Sequence, residues 1–149
     1  MQNKMENIAA IKDQNLLDGT ACLELIAEKY RGKHWIPGSL FYDEEIFGLI
    51  EPIFERKVDS YDHYEINHIS TEQAKQLIKK LQSVSTELSS AKEFANTPQQ
   101  IGFKFACSRD YFETNFVTAK NKTINMINEL IEWLKKVLSN YDCITVAGI

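Results

Sequence analysis

The sequence predicts a mainly α-helical fold, a bundle-like single domain with one or two short strands at its periphery. Apolar residues recur at three- and four-residue steps over 70–95 and again over 108–140, which is the period of a helix with one buried face. The 149 residues match the size of one domain, and 44% are hydrophobic, enough to fill a core. We therefore treat 1–149 as one domain.

The first predicted helix covers residues 20–31. Asp18 or Thr20 supplies a side chain suited to its N-cap, and Gly32 stands where a helix commonly ends. Residues 6–17 carry a weak strand pattern. Together they predict a short N-terminal strand followed by a helix.

Two further helices follow in chain order. One is predicted over 43–55, where Asp43 is a favourable N-cap and Pro52 limits or kinks the helix near its end. The next covers 70–95 and opens with Ser70 and Gln73 in the spacing of a capping box.

The last helix is predicted over 108–140, with Asn140 as its C-cap. The tail 143–147 is rich in β-branched residues, which favour a strand. We expect this tail to pair with residues 6–11 at the edge of the helical domain.

Acidic residues are concentrated in one part of the chain. The net charge is −4, but residues 40–72 contain nine acids and two bases, a local charge of −7. Such a segment repels phosphates and attracts basic surfaces. Lysines and arginines form no basic stripe, so nucleic-acid binding is not expected.

The remaining composition indicates a soluble cytoplasmic protein without a cofactor. The N-terminus lacks the apolar region of a signal peptide, and no apolar stretch is long enough to cross a membrane. Three cysteines in no metal-binding spacing are interpreted as free thiols in a reducing compartment. Motifs of nucleophilic catalysis and of phosphate binding are absent, so an enzyme is not predicted.

The histidines leave one catalytic alternative open. His63 and His68 are five residues apart, with Asp62 and Glu65 beside them. A zinc site needs three or four such groups in a fixed geometry, which this spacing does not supply. Surface or turn histidines are the simpler interpretation, and no metal is expected, although a small metal-dependent enzyme using both residues remains an alternative.

The acidic segment also contains tyrosines that combine contact area with nearby carboxylates, a composition suited to binding arginine and lysine side chains. Glu51 and Glu55 are spaced to share a helical face, which we interpret as solvated. The predicted partner-binding residues are Glu51, Glu55, Asp59, Tyr61, Asp62, Tyr64 and Glu65.

Four segments of the chain resemble immunity proteins of bacterial contact-dependent inhibition and related polymorphic toxin systems. These segments are 38–44 (GSLFYDE), 61–64 (YDHY), 132–134 (EWL) and 142–149 (DCITVAGI). The resemblance implies a cytoplasmic protein that binds a cognate toxin domain, such as a nuclease with a basic cleft, and blocks its active site. An adaptor or regulatory subunit of another cytosolic complex is the alternative.

Overall fold

The computed structural model describes residues 4–13, 15 and 21–148. Helices account for 51% of the structure and strands for 14%, and the strands form one four-stranded antiparallel sheet. The fold is therefore mixed α and β. The prediction of a mainly helical bundle with peripheral strands is wrong, because the sheet forms one wall of the core.

The sheet has the spatial order β2-β1-β4-β3, with all neighbours antiparallel. Its two central strands come from opposite ends of the chain, so the sheet is complete only when the C-terminal tail has paired with its neighbours. The strands are β1 (Cys22–Ile26), β2 (Leu40–Asp43), β3 (Ile66–Ser70) and β4 (Cys143–Ala147).

Five α-helices lie in the described part of the chain. The two longest, α3 and α5, pack along each other, and α3 also contacts α2, β3 and β4. The helices are α1 (Glu44–Phe47), α2 (Glu51–Lys57), α3 (Thr71–Ser90), α4 (Ala106–Thr114) and α5 (Phe116–Leu138). The described residues also include two short 3₁₀ segments, Lys4–Asn7 and Phe94–Asn96.

The predicted helix over 20–31 is wrong, because β1 occupies its centre. Leu23 and Leu25 point into the main core, and Glu24 and Ile26 are buried on the opposite face of the sheet. A strand covered on both faces has a nearly continuous run of buried residues, which periodicity alone cannot distinguish from a helix. The proposed N-cap, Asp18 or Thr20, lies outside the described residues.

The helix predicted over 43–55 is two helices separated by a turn at Gly48–Ile50. Asp43 caps the first as expected: its Oδ1 accepts a hydrogen bond from the backbone N–H of Glu45 at 2.9 Å. Pro52 lies in the first turn of α2, where its missing N–H costs no helical hydrogen bond. The proline therefore helps to begin a helix and does not end one.

The longer helices were predicted more closely. The capping box of Ser70 and Gln73 is confirmed, and α3 ends at Ser90, five residues before the predicted end. The helix predicted over 108–140 is divided at Asn115 into α4 and α5. The apolar faces of these helices are buried as the periodicity indicated.

The predicted C-terminal strand is confirmed, but its position is not peripheral. β4 lies inside the sheet, where Val146 is paired with Leu25 of β1 and with Asn67 of β3. The N-terminal segment pairs elsewhere, through an isolated bridge between Ile11 and Phe41 of β2. The expected pairing of the tail with residues 6–11 is therefore wrong.

Charged substitutions test the contact between α3 and α5. Leu81 and Ile127 are both fully buried. We expect Leu81→Asp or Ile127→Asp to lower the free energy of unfolding by about 4 kcal/mol, because either places an unpaired carboxylate in the core. Gln82→Asp, on the exposed side of α3, is the matched control. Equal midpoints of denaturant unfolding for Leu81→Asp and the control would contradict the packing.

Candidate functional site: an acidic turn on a buried carboxylate–histidine network

The chain between α2 and β3 forms a tight turn, residues 59–65, which we call the acidic turn. Asn67 of β3 holds it in place: the side chain is 6% exposed, and its Oδ1 accepts the backbone N–H of Asp62 at 2.9 Å. The Asn67 amide group donates in return to the carbonyls of Asp62 at 2.8 Å and Glu65 at 3.1 Å. One buried amide thus adds to the turn's own backbone hydrogen bond, which runs from the N–H of Glu65 to the carbonyl of Asp62 at 3.2 Å.

Further contacts fix both ends of the acidic turn. Asp62 Oδ1 accepts the backbone N–H of Tyr64 at 2.9 Å, and the N–H of Gly148 donates to the carbonyl of Glu65 at 2.9 Å. A Cβ atom at Gly148 would collide with the backbone carbonyl of His63. Glycine is therefore required where the C-terminal strand meets the turn.

His63 lies beneath the acidic turn between two carboxylates. Its Nδ1 is 2.6 Å and 2.8 Å from the two carboxylate oxygens of Glu51, and its Nε2 is 2.9 Å from Oε1 of Glu44. The Tyr61 hydroxyl donates a 2.8 Å hydrogen bond to the same Glu51 carboxylate. These four side chains connect the starts of α1 and α2 to the turn.

Carboxylate oxygens lie at hydrogen-bond distance from every polar atom of the His63 ring. Its Nδ1 faces Glu51 and its Nε2 faces Glu44. Burial, followed by the negative charge of Glu51, raises the pKa of the Tyr61 hydroxyl far above its ordinary value. Tyr61 therefore remains a donor at neutral pH, and Glu51, 2% exposed, is satisfied by two donors.

The structure separates the seven predicted binding residues into two groups. Glu51 is buried and Tyr61 is partly buried, and both belong to the network, so the interpretation of Glu51 as part of a solvated helix face is wrong. The other five are exposed, namely Glu55, Asp59, Asp62, Tyr64 and Glu65.

The exposed members present charge and one aromatic ring. The Tyr64 side chain is 65% exposed, and one edge contacts the His63 ring at a centroid distance of 4.8 Å. Within the described residues, no ion pair engages Glu55, Asp59 or Glu65. Their carboxylates are therefore available to a partner.

The residues that organise this site are not among those predicted from the sequence. Glu44 has no predicted role in the site, and His63 is predicted to be a surface or turn histidine. A possible signal was Asn67, since asparagine is depleted in strands and here interrupts an apolar pattern. The network joins residues up to 19 positions apart, which spacing alone does not reveal.

The metal-site alternative does not fit these contacts. Both ring nitrogens of His63 bind carboxylates, and His68 lies on β3 with an exposed side chain. Across the described ranges, no group of three or more His, Cys, Asp or Glu side chains is arranged to hold a metal ion. In the same ranges, no helix is both long and apolar enough for a membrane span.

Comparisons with protein-family models, curated proteins and solved structures found no match to this chain. The site is therefore interpreted from its own geometry.

Removal of the His63 ring tests the network. We expect His63→Ala to lower the free energy of unfolding by about 3–5 kcal/mol, because it leaves the buried Glu51 carboxylate without its partner at the His63 Nδ1. Adding Glu51→Gln to this variant should recover part of the loss, since no uncompensated charge then remains. His68→Ala is the matched control, with an expected change within about 0.5 kcal/mol. Equal melting temperatures for the two histidine variants would show that the bridge contributes nothing to stability.

Proposed function

We propose that this protein binds a basic partner protein through the acidic turn and acts as an immunity-type inhibitor of a toxin domain. The observation that carries the proposal is the exposure of Glu55, Asp59 and Glu65, which make no ion pair within the described residues and lie on or beside a turn fixed by a buried network. The resemblance of segments 38–44 and 61–64 to immunity proteins supports the choice of a toxin as partner.

Rigidity of the turn favours binding. Association costs the freedom of every segment that must become ordered, so a turn already held by His63 and Asn67 loses less on contact. The backbone positions that carry its carboxylates and Tyr64 are held as well. A fixed pattern of negative charge selects a complementary basic surface and raises the rate of association.

The two groups of residues have different roles in this proposal. Glu55, Asp59, Asp62, Tyr64 and Glu65 contact the partner. Glu51 and Tyr61 hold the turn from its buried side and do not contact the partner. A basic nucleic-acid cleft is a suitable target, because clustered carboxylates carry the same sign of charge as its substrate. Occupation of that cleft would block the active site.

Charge reversal tests the surface. We expect Glu55→Lys, Asp59→Lys and Glu65→Lys together to slow association with the partner by about 10- to 100-fold at low salt, and to reduce the salt dependence of that rate. Asp62 stays unchanged because its carboxylate holds Tyr64. The measurement is a salt series of binding kinetics against any toxin domain found encoded beside this gene.

The matched control reverses three exposed acids elsewhere, Glu87 on α3 with Asp110 and Glu113 on α4, for the same change in net charge. This variant should retain most of the association rate at moderate salt. Equal rates for the two triple variants would remove the acidic turn from the interface. Failure of the wild-type protein to bind the toxin domain would remove the immunity function itself.

A further inference from the structure

A second surface feature borders the acidic turn on the face of the sheet opposite the main core. A pocket of about 390 Å³ opens there between the sheet and the loop 27–39. Its lining includes Cys22, Glu24, His34, Trp35, Phe41 and Gly148. Trp35, at 47% exposed, is one of four large hydrophobic side chains exposed in the described residues.

The Trp35 ring is held in position at a conformational cost. Its backbone has φ of 64°, in the left-handed region that a bulky residue rarely adopts. The Glu24 carboxylate, 4% exposed, accepts the backbone N–H groups of Trp35 at 2.9 Å and Ile36 at 2.8 Å. A buried acid therefore stabilises the strained loop, and strain of this kind is concentrated at functional sites.

The same loop conformation makes an aromatic wall. The rings of Trp35 and Phe41 are stacked, with centroids 5.4 Å apart and planes inclined by 25°. Burial of Phe41 in the sheet keeps the pair fixed. An indole face of this kind is the best side-chain surface for a cation.

The floor of the pocket is electrostatically negative. Burial raises the pKa of the Cys22 thiol, and the negative charges of Glu24 and Asp43 raise it further. Among the described lining residues, His34 is the one titratable base, with Nδ1 3.7 Å from the Glu24 carboxylate. The loop's arginine, Arg31, pairs with Glu28 and does not line the pocket.

The pocket and the acidic turn form adjacent parts of one surface. Gly148 lines the pocket, and its N–H donates to the carbonyl of Glu65. The pocket therefore meets the acidic turn at Glu65, at the end of the turn that precedes β3.

We infer that this pocket receives an arginine side chain of the basic partner, with the guanidinium group over the Trp35 ring and above the Glu24 carboxylate. Arginine fits better than lysine because its planar cation stacks on an aromatic face and is more weakly hydrated. This inference rests on the proposed function and adds an anchor residue to it. Its test uses a small probe in place of the partner, so the two can fail separately.

The probe is N-acetyl-arginine amide, compared with the neutral isostere N-acetyl-citrulline amide. Both are titrated into the full-length protein, up to about 50 mM for a weak fragment-sized ligand. Chemical shifts of the Trp35 indole N–H and the Gly148 amide are followed by NMR. We expect saturable shifts at both positions with the arginine probe and none with the citrulline probe.

One variant removes the aromatic wall of the pocket, and a second removes a negative charge that acts on Cys22 in its lining. Trp35→Gly removes the ring and suits the positive φ, so the fold is retained; it should weaken arginine binding, followed at Gly148, by about twofold to thirtyfold. Asp43→Asn keeps an oxygen for the α1 cap and should weaken binding by about two- to fivefold. Tyr141→Ala, which removes an exposed ring outside the pocket, is the control and should change nothing.

Three results would overturn the inference: equal binding of the arginine and citrulline probes, no saturable shift at Trp35, or unchanged affinity in Trp35→Gly. Each of these leaves the charge-reversal experiment on the acidic turn unaffected. Both proposals would be supported if the charge-reversed protein loses partner binding but still binds the arginine probe normally in the pocket.

Discussion

The contact of the His63 ring with the carboxylates of Glu44 and Glu51 is the interaction on which the candidate site depends. It joins the starts of two helices to the turn that precedes β3. Glu51 is almost fully buried, so the pair is not a surface salt bridge of negligible effect. Desolvation of these charges is offset only because each side chain has a partner at hydrogen-bond distance.

A similar arrangement recurs on the other face of the sheet. Glu24 is a buried carboxylate in the middle of a strand, and its acceptors are filled by the backbone of a loop eleven and twelve residues later. In both cases an acid that belongs to the interior fixes a segment at the surface. The segments fixed in this way are the acidic turn and the loop that carries Trp35, so internal carboxylates organise the surface that we propose for binding.

This arrangement changes the meaning of the acidic composition. Of the nine acids in residues 40–72, five are exposed and the others are half-buried or buried. Asp43 caps a helix, and Glu44 and Glu51 bind His63. The negative charge that a partner would meet is therefore smaller than the composition suggests, but it lies on a surface of defined shape. Arg56 and Lys57 lie beside it and reduce it further.

The long helices were accessible to sequence analysis because their apolar period repeats over several turns. The capping box at Ser70 and the β-branched tail are likewise local patterns that the sequence predicts. Residues 20–31 are different. Cys22, Leu25 and Ile26 fit a helical spacing, but each residue from Leu23 to Ile26 is buried in a central strand. A short strand with both faces covered carries no alternation that separates it from a helix.

The sequence by itself determined the helical period of α3 and α5, the N-caps Asp43 and Ser70, and the place where acids and tyrosines are concentrated. These are local properties, set by side chains within a few residues of one another. Tertiary structure alone decided that the tail pairs between β1 and β3, that Glu51 and Tyr61 turn inward, and that His63 bridges two helices. Each of these results from contacts between distant parts of the chain, whose energies depend on burial that no local pattern specifies.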